Sequence, residues 1–313
     1  MDVDVLCTEI NMSEPLRIGV AVWTLLICIL SFAAQLMIIR ATGKFAGWQS
    51  DFSYTVLKWM SVLALQLYFG EIISHVRFAL GCQSHAIDQI LGASFITSFL
   101  TDTILGVTLI LHRVVYTLYP HKAAKVLTSK VLKCHLLAIL IFHVALFGLM
   151  LTPYVGYQFC PKSLQRFPVE GIATPIVLWM NTVCNYMVGV TALTAYSTIC
   201  IFLFLRGNLT LRSNAEIRLT LQVVAMCTVG VFYFVYWECR HFVKLDVVPS
   251  VIIYETLTLF YYNAEFAPYF LLNKTFRSEC LGFIPSSRKK LPTVSVATRT
   301  IVPNKARKGQ ESI

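Results

Sequence analysis

Seven long apolar runs constrain this chain more than any other feature. They cover about 17–39, 53–76, 85–111, 132–153, 174–204, 217–237 and 249–271. A hydrocarbon core of about 30 Å is crossed by roughly 20 mostly apolar residues in helical form. In lipid only helices and closed barrels satisfy every backbone N–H and C=O. Barrel strands need only about 10 residues each, so runs of this length predict helices. The chain is 57% hydrophobic and 13% charged, whereas a soluble domain carries about a quarter charged residues. The expected fold class is therefore an all-α membrane protein, a seven-transmembrane helix bundle spanning 17–271. No internal repeat is evident, so a repeat-built transporter gains no support.

The net charge of +10 would suit nucleic acid, but its placement argues otherwise. Of the 26 Lys and Arg, 20 fall on the side facing 40–58, 112–133, 205–218 and 272–313. The other 6 are Arg17, Arg77, Lys162, Arg166, Arg240 and Lys244. Without the tail the contrast is still 11 against 6. Positive loops stay in the cytoplasm, which predicts a multi-pass plasma-membrane protein with an extracellular N-terminus and a cytoplasmic C-terminus. Residues 1–16 fit that outer side. They carry Asp2, Asp4, Glu9 and Glu14 and no basic residue, so no cleaved signal peptide is expected. Asn11-Met12-Ser13 is a glycosylation sequon there. Trp23, Trp179, Trp237 and Trp59 fall near span ends, where aromatic belts form.

Ten cysteines make no Cys-x-x-Cys pair, so neither a zinc site nor a thioredoxin motif is expected. There is no His-Glu-x-x-His string and no phosphate-binding loop. No enzyme activity, metal or cofactor is predicted. Cys7, Cys82, Cys160 and Cys239 fall on the oxidising outer side, where four cysteines allow three pairings. Cys28, Cys184, Cys200 and Cys227 lie within spans and read as small packing residues.

The third run closes on Leu111-His112-Arg113-Val114-Val115-Tyr116-Thr117-Leu118-Tyr119-Pro120. An Arg at the inner end of span three, with Pro120 seven positions on, resembles the Asp-Arg-Tyr…Pro signature of rhodopsin-like G-protein-coupled receptors. The seventh run ends with Tyr269, then Phe276 in a basic amphipathic segment, and resembles the Asn-Pro-x-x-Tyr…Phe signature of that family. The string Tyr-x-x-x-Asn-Lys-Thr-x-Arg from Tyr269 to Arg277 is similar to the closing signature of nematode serpentine chemoreceptors, class x and related groups. The motifs cover about 111–120 and 261–277 only. The chain departs from the family at His112, where an acid is usual, and at Glu265 and Phe266, where Asn and Pro are usual. It has no Pro in span six and no Trp in span four.

The resemblance implies a receptor that turns binding of an extracellular small molecule or peptide into activation of a heterotrimeric G protein. His112, Arg113, Pro120, Tyr269 and Phe276 would form the coupling switch, and 272–284 a short amphipathic eighth helix. It also implies a disulfide between Cys82 and Cys160, although Cys82 lies 31 residues before Arg113, farther than is usual in the family. A Cys7–Cys239 bridge is a further option. Pro268 predicts a kink in the seventh span, because proline removes a backbone donor and clashes with the preceding turn.

Ionisable groups at membrane depth are costly and point to function. Asp102 lies in mid span three and Glu265 in span seven. They are expected either to form a polar pocket sharing a proton or cation, near the family's sodium site, or to be two separately hydrogen-bonded acids. Residues 59–70 contain no acid, and Gln66 is the nearest polar candidate in span two. Outward of that level, the ligand-lining candidates are Ser94, Thr97 and Ser98, Asn181 and Asn185, Tyr233 and Tyr236, and Tyr254, Glu255 and Thr258. Any one of them could equally be a helix-packing contact. The tail 285–313 reads as disordered, with Arg288-Lys289-Lys290 suited to anionic lipid. Cys280 is a palmitoylation candidate. The partners expected are thus a G protein, a small ligand or peptide and membrane lipid, with no nucleic acid. Two other readings are a seven-span chemosensory channel or transporter and a receptor-like scaffold without coupling. The insect-type channels have the opposite orientation, and loss of the acid before Arg113 keeps the scaffold reading open.

Overall fold

The computed structural model describes residues 12–45, 52–82, 84–160, 164–205, 215–239, 242 and 246–282. Cys7, the sequon at Asn11 and the tail from 283 onward lie outside the described residues. The chain divides into two units, Met1–Leu281 and Gly282–Ile313. All the described helices and strands belong to the first.

Its elements run α1 (Glu14–Phe45), α2 (Phe52–Ala79), α3 (His85–Leu118), α4 (Pro120–Val126), α5 (Ser129–Met150), β1 (Gly156–Cys160), β2 (Gln165–Val169), α6 (Thr174–Leu205), α7 (Ala215–Cys239), α8 (Val247–Ala264), α9 (Ala267–Leu272) and α10 (Lys274–Cys280). The chain is thus mostly helical. Five helices are long and apolar enough to cross a membrane: α1, α2, α3, α5 and the Thr174–Ile199 part of α6. The apolar part of α7, Val224–Cys239, is shorter. Helix α8 has 18 residues and carries Glu255 in its middle.

Helix α3 is the centre of the packing. Its neighbours include α2, α5, α6, α7 and β1, and 78% of its apolar window is buried, against 17% for α5. Helices α1 and α5 leave large apolar side chains such as Leu30, Ile141 and Val144 exposed, as helices facing lipid do. One apolar cluster, around Leu57, Met60, Leu109, Tyr269 and Phe276, fills the end of the bundle near α10. A second, around Leu67, Tyr68, Leu100, Met150 and Tyr262, fills the other half.

Two features depart from a purely helical reading. Strands β1 and β2 form an antiparallel hairpin, in register from Gly156 opposite Val169 to Cys160 opposite Gln165. It lies across α3 at Gly92, where an added Cβ would stand 2.0 Å from the carbonyl oxygen of Tyr157. Only glycine admits so close an approach of two backbones. The second feature is the break between α8 and α9 at Glu265–Phe266. Pro268 sits in the first turn of α9, and its missing N–H leaves the carbonyl four residues back without a helical partner.

The Cys82–Cys160 bridge is not formed. Cys82 is free and exposed, in the turn that ends α2, whereas Cys160 is buried and disulfide-bonded. The turn through Gly81, with φ of 66°, carries Cys82 out to solvent. Cys239 is also free, so it does not pair with Cys7.

Candidate functional site

Three polar sites lie along the axis of α3. The first is a cleft at the hairpin end. Four helices each supply a pair at i, i+4 spacing, which puts both members on one face. Helix α3 gives Phe95 and Phe99, with Ile96 beside them, and α6 gives Asn181 and Asn185. Helix α7 gives Tyr233 and Trp237, and α8 gives Tyr254 and Thr258. Tyr157 of β1 and Arg166 of β2 complete the wall. The cavity is about 100 Å³. Tyr233 stacks on Tyr261 at 4.3 Å, and its hydroxyl lies 3.3 Å from Thr258 Oγ1. Trp237 meets Tyr254 edge-on at 5.0 Å. Burial pushes the Tyr157 hydroxyl up to about 12, so it stays a neutral donor.

Of the ten residues expected to line a ligand site, five meet here: Asn181, Asn185, Tyr233, Tyr254 and Thr258. The other five do not line the cleft. On α3 the stripe of Phe95, Ile96 and Phe99 takes that face, so Ser94, Thr97 and Ser98 fall elsewhere. Thr97 and Ser98 are fully buried and their hydroxyls make no hydrogen bond. Tyr236 packs edge-on against Trp237 at 6.2 Å. Glu255 is buried off the wall, in the field of Glu71 and Arg166.

Arg166 was not anticipated. Its Nε donates to Glu71 Oε1 at 2.9 Å and its Nη2 to Ser74 Oγ at 2.8 Å. Both side chains of this ion pair are only 4% exposed. The guanidinium lies over the rings of Phe95 and Phe159, at 5.4 and 5.6 Å. Its Nη1 is buried and has no partner. Glu71 is a buried acid of α2, one residue beyond the acid-free stretch 59–70. His75, 1% exposed, sits against the same group with Nδ1 2.9 Å from the Glu71 carbonyl oxygen.

The second site is the carboxyl pair. Asp102 and Glu265 are 2% and 4% exposed and lie in each other's field. The Glu265 backbone N–H donates to the Tyr261 carbonyl oxygen at 3.1 Å, one helical turn back. Asp102 Oδ1 and Glu265 Oε2 remain without partners. Gln66 does not join them. It lines a separate apolar groove between α2, α3 and α5 with Trp59, Leu105 and His143.

The third site is at the α10 end. Arg113 lies against the Tyr269 hydroxyl, although neither that hydroxyl nor Arg113 Nε makes a hydrogen bond of ordinary geometry. Among the described residues no acid forms an ion pair with Arg113. His112 is packed between rings instead, 4.8 Å from Phe52 and 4.7 Å from Tyr116. Tyr269 and Phe276 are fully buried and both flank Tyr54. Asn273 caps α10 by accepting from Phe276 N at 3.1 Å and donates to Tyr54 Oη at 2.7 Å. Pro120 opens α4. Cys280 is 2% exposed within the apolar cluster, and burial with Glu279 beside it pushes its thiol up to about 11. A buried, protonated thiol is poorly placed for acylation.

The chain matches no known protein family, and no curated protein matches it either.

Proposed function

We propose that the chain is a seven-span chemosensory receptor, binding a small extracellular molecule in the hairpin-end cleft and activating a heterotrimeric G protein at the α10 end. The observation that carries this reading is that one pair of chain segments supplies all three polar sites. Helix α3 contributes Phe95 and Phe99, then Asp102, then Arg113. The α8–α9 segment contributes Tyr254 and Thr258, then Glu265, then Tyr269. The break at Glu265–Phe266 lies between cleft and Arg113, so a ligand that shifts α8 has a jointed element through which to move Tyr269. A ligand moves such an equilibrium only by binding one arrangement better than the other. A cavity this small takes a small molecule rather than a peptide, since drug-sized sites start at about 300 Å³.

The reading requires the N-terminus outside and the C-terminus inside. Epitope tags at the two ends, stained on intact cells, should report only the N-terminal one. A calcium or cyclic-nucleotide reporter should then show odorant responses that vanish when G proteins are depleted. Staining of the C-terminal tag would contradict the receptor, and ligand-gated current without G protein would favour a channel.

A further inference from the structure

Resting on the cleft as the receptor's ligand site, we infer that its ligand is a compact carboxylic acid whose carboxylate accepts from the Arg166 guanidinium while its apolar body lies on the aromatic wall. A guanidinium has five N–H donors. Glu71 and Ser74 take donors of Nε and Nη2, and among the described residues Nη1 is left buried with nothing to donate to. Leaving a charged donor unsatisfied away from water is costly, so the position calls for an acceptor.

The surroundings select which acceptor. Glu71 already balances the charge of Arg166, so a second full anion gains less than it would beside a lone Arg. A doubly charged phosphate would meet Glu71 and the nearby Glu255. A monoanion with an apolar body fits better, because the rest of the wall is Phe95, Phe99, Tyr233, Trp237 and Tyr254. The volume of about 100 Å³ limits that body to one ring or a short chain. The rival is an amine drawn by Glu255, but Glu255 is not on the cleft wall, while its helix neighbours Tyr254 and Thr258 are.

The test uses the full-length chain in detergent and follows its unfolding temperature. Benzoate, phenylacetate and butyrate are compared with methyl benzoate, benzamide and benzylamine at equal concentration. The acids should raise the unfolding temperature and the esters, amide and amine should not. Arg166→Gln should weaken the acids about ten- to hundredfold, the loss expected for a charge-assisted hydrogen bond. Glu71→Gln keeps an acceptor for Nε but removes the opposing charge, so it should tighten acid binding severalfold. This second variant guards against misfolding in the first, since a damaged fold does not bind more tightly. Equal stabilisation by acids and esters, stabilisation by benzylamine that Glu255→Gln abolishes, or no acid-specific shift at all would each overturn the inference. Binding is read without a G protein. Acid binding with no signalling would therefore sink the receptor reading alone, and signalling by neutral odorants through an Arg166-independent cleft would sink this inference alone.

Discussion

Two carboxyl groups in contact inside an apolar bundle do not stay together as two anions, because their repulsion adds to the cost of burying each charge. Asp102 and Glu265 lie in each other's field at 2% and 4% exposure, so we propose that a shared proton or a cation holds them. Asp102→Asn keeps a donor for Glu265 and should be tolerated. Asp102→Leu leaves Glu265 with an unmet acceptor and should cost about 1–3 kcal/mol. Thermal unfolding in detergent distinguishes them, and equal stability of the two variants would mean that the pair is not coupled. These two acids were legible in the sequence because an acid within an apolar run stands out. Arg166 and Glu71 were not. Arg166 reads as one more loop charge until the hairpin register sets it opposite Phe159 and turns it onto α2. Glu71 sits near the end of its apolar run, where an acid passes for the helix boundary.

At the scale of elements, the five helices long and apolar enough to cross a membrane follow from hydropathy, and their ends fall within several residues of the runs. The hairpin does not follow from it. Its ten strand residues are short, mixed in polarity and include Pro168, and what fixes them is tertiary: the groove over Gly92. The break after α8 was legible as Pro268, although the chain leaves the helix three residues earlier, at Glu265. The hairpin's seat gives a direct test. Gly92→Ala sets a Cβ against the backbone of Tyr157, which has little room to yield, and should lower the unfolding temperature and surface level. Overpacking of this kind costs about 1–3 kcal/mol. Gly19→Ala is the control, since no atom lies within 4 Å of an added Cβ there and alanine favours a helix. A Gly92→Ala protein as stable as Gly19→Ala would mean that the hairpin does not rest on α3.

For the whole molecule the central claim is that the α10 end couples to a G protein through Arg113. Its half-buried position beside Tyr269, with no acid among the described residues in an ion pair with it, leaves it able to change partners. His112 is held by Phe52 and Tyr116 and offers it no counter-charge. An acid there would add an interaction present only while Arg113 stays inward. Roughly 1 kcal/mol of such bias cuts an active fraction about fivefold. The decisive measurement is basal and odorant-evoked G-protein signalling of Arg113→Ala and His112→Asp, with surface level measured on the same cells. Both variants should reach the surface, with signalling absent in Arg113→Ala and basal signalling reduced about fivefold in His112→Asp. Normal signalling by Arg113→Ala would show that this Arg only anchors the helix at the membrane surface, and the receptor account would fail with it.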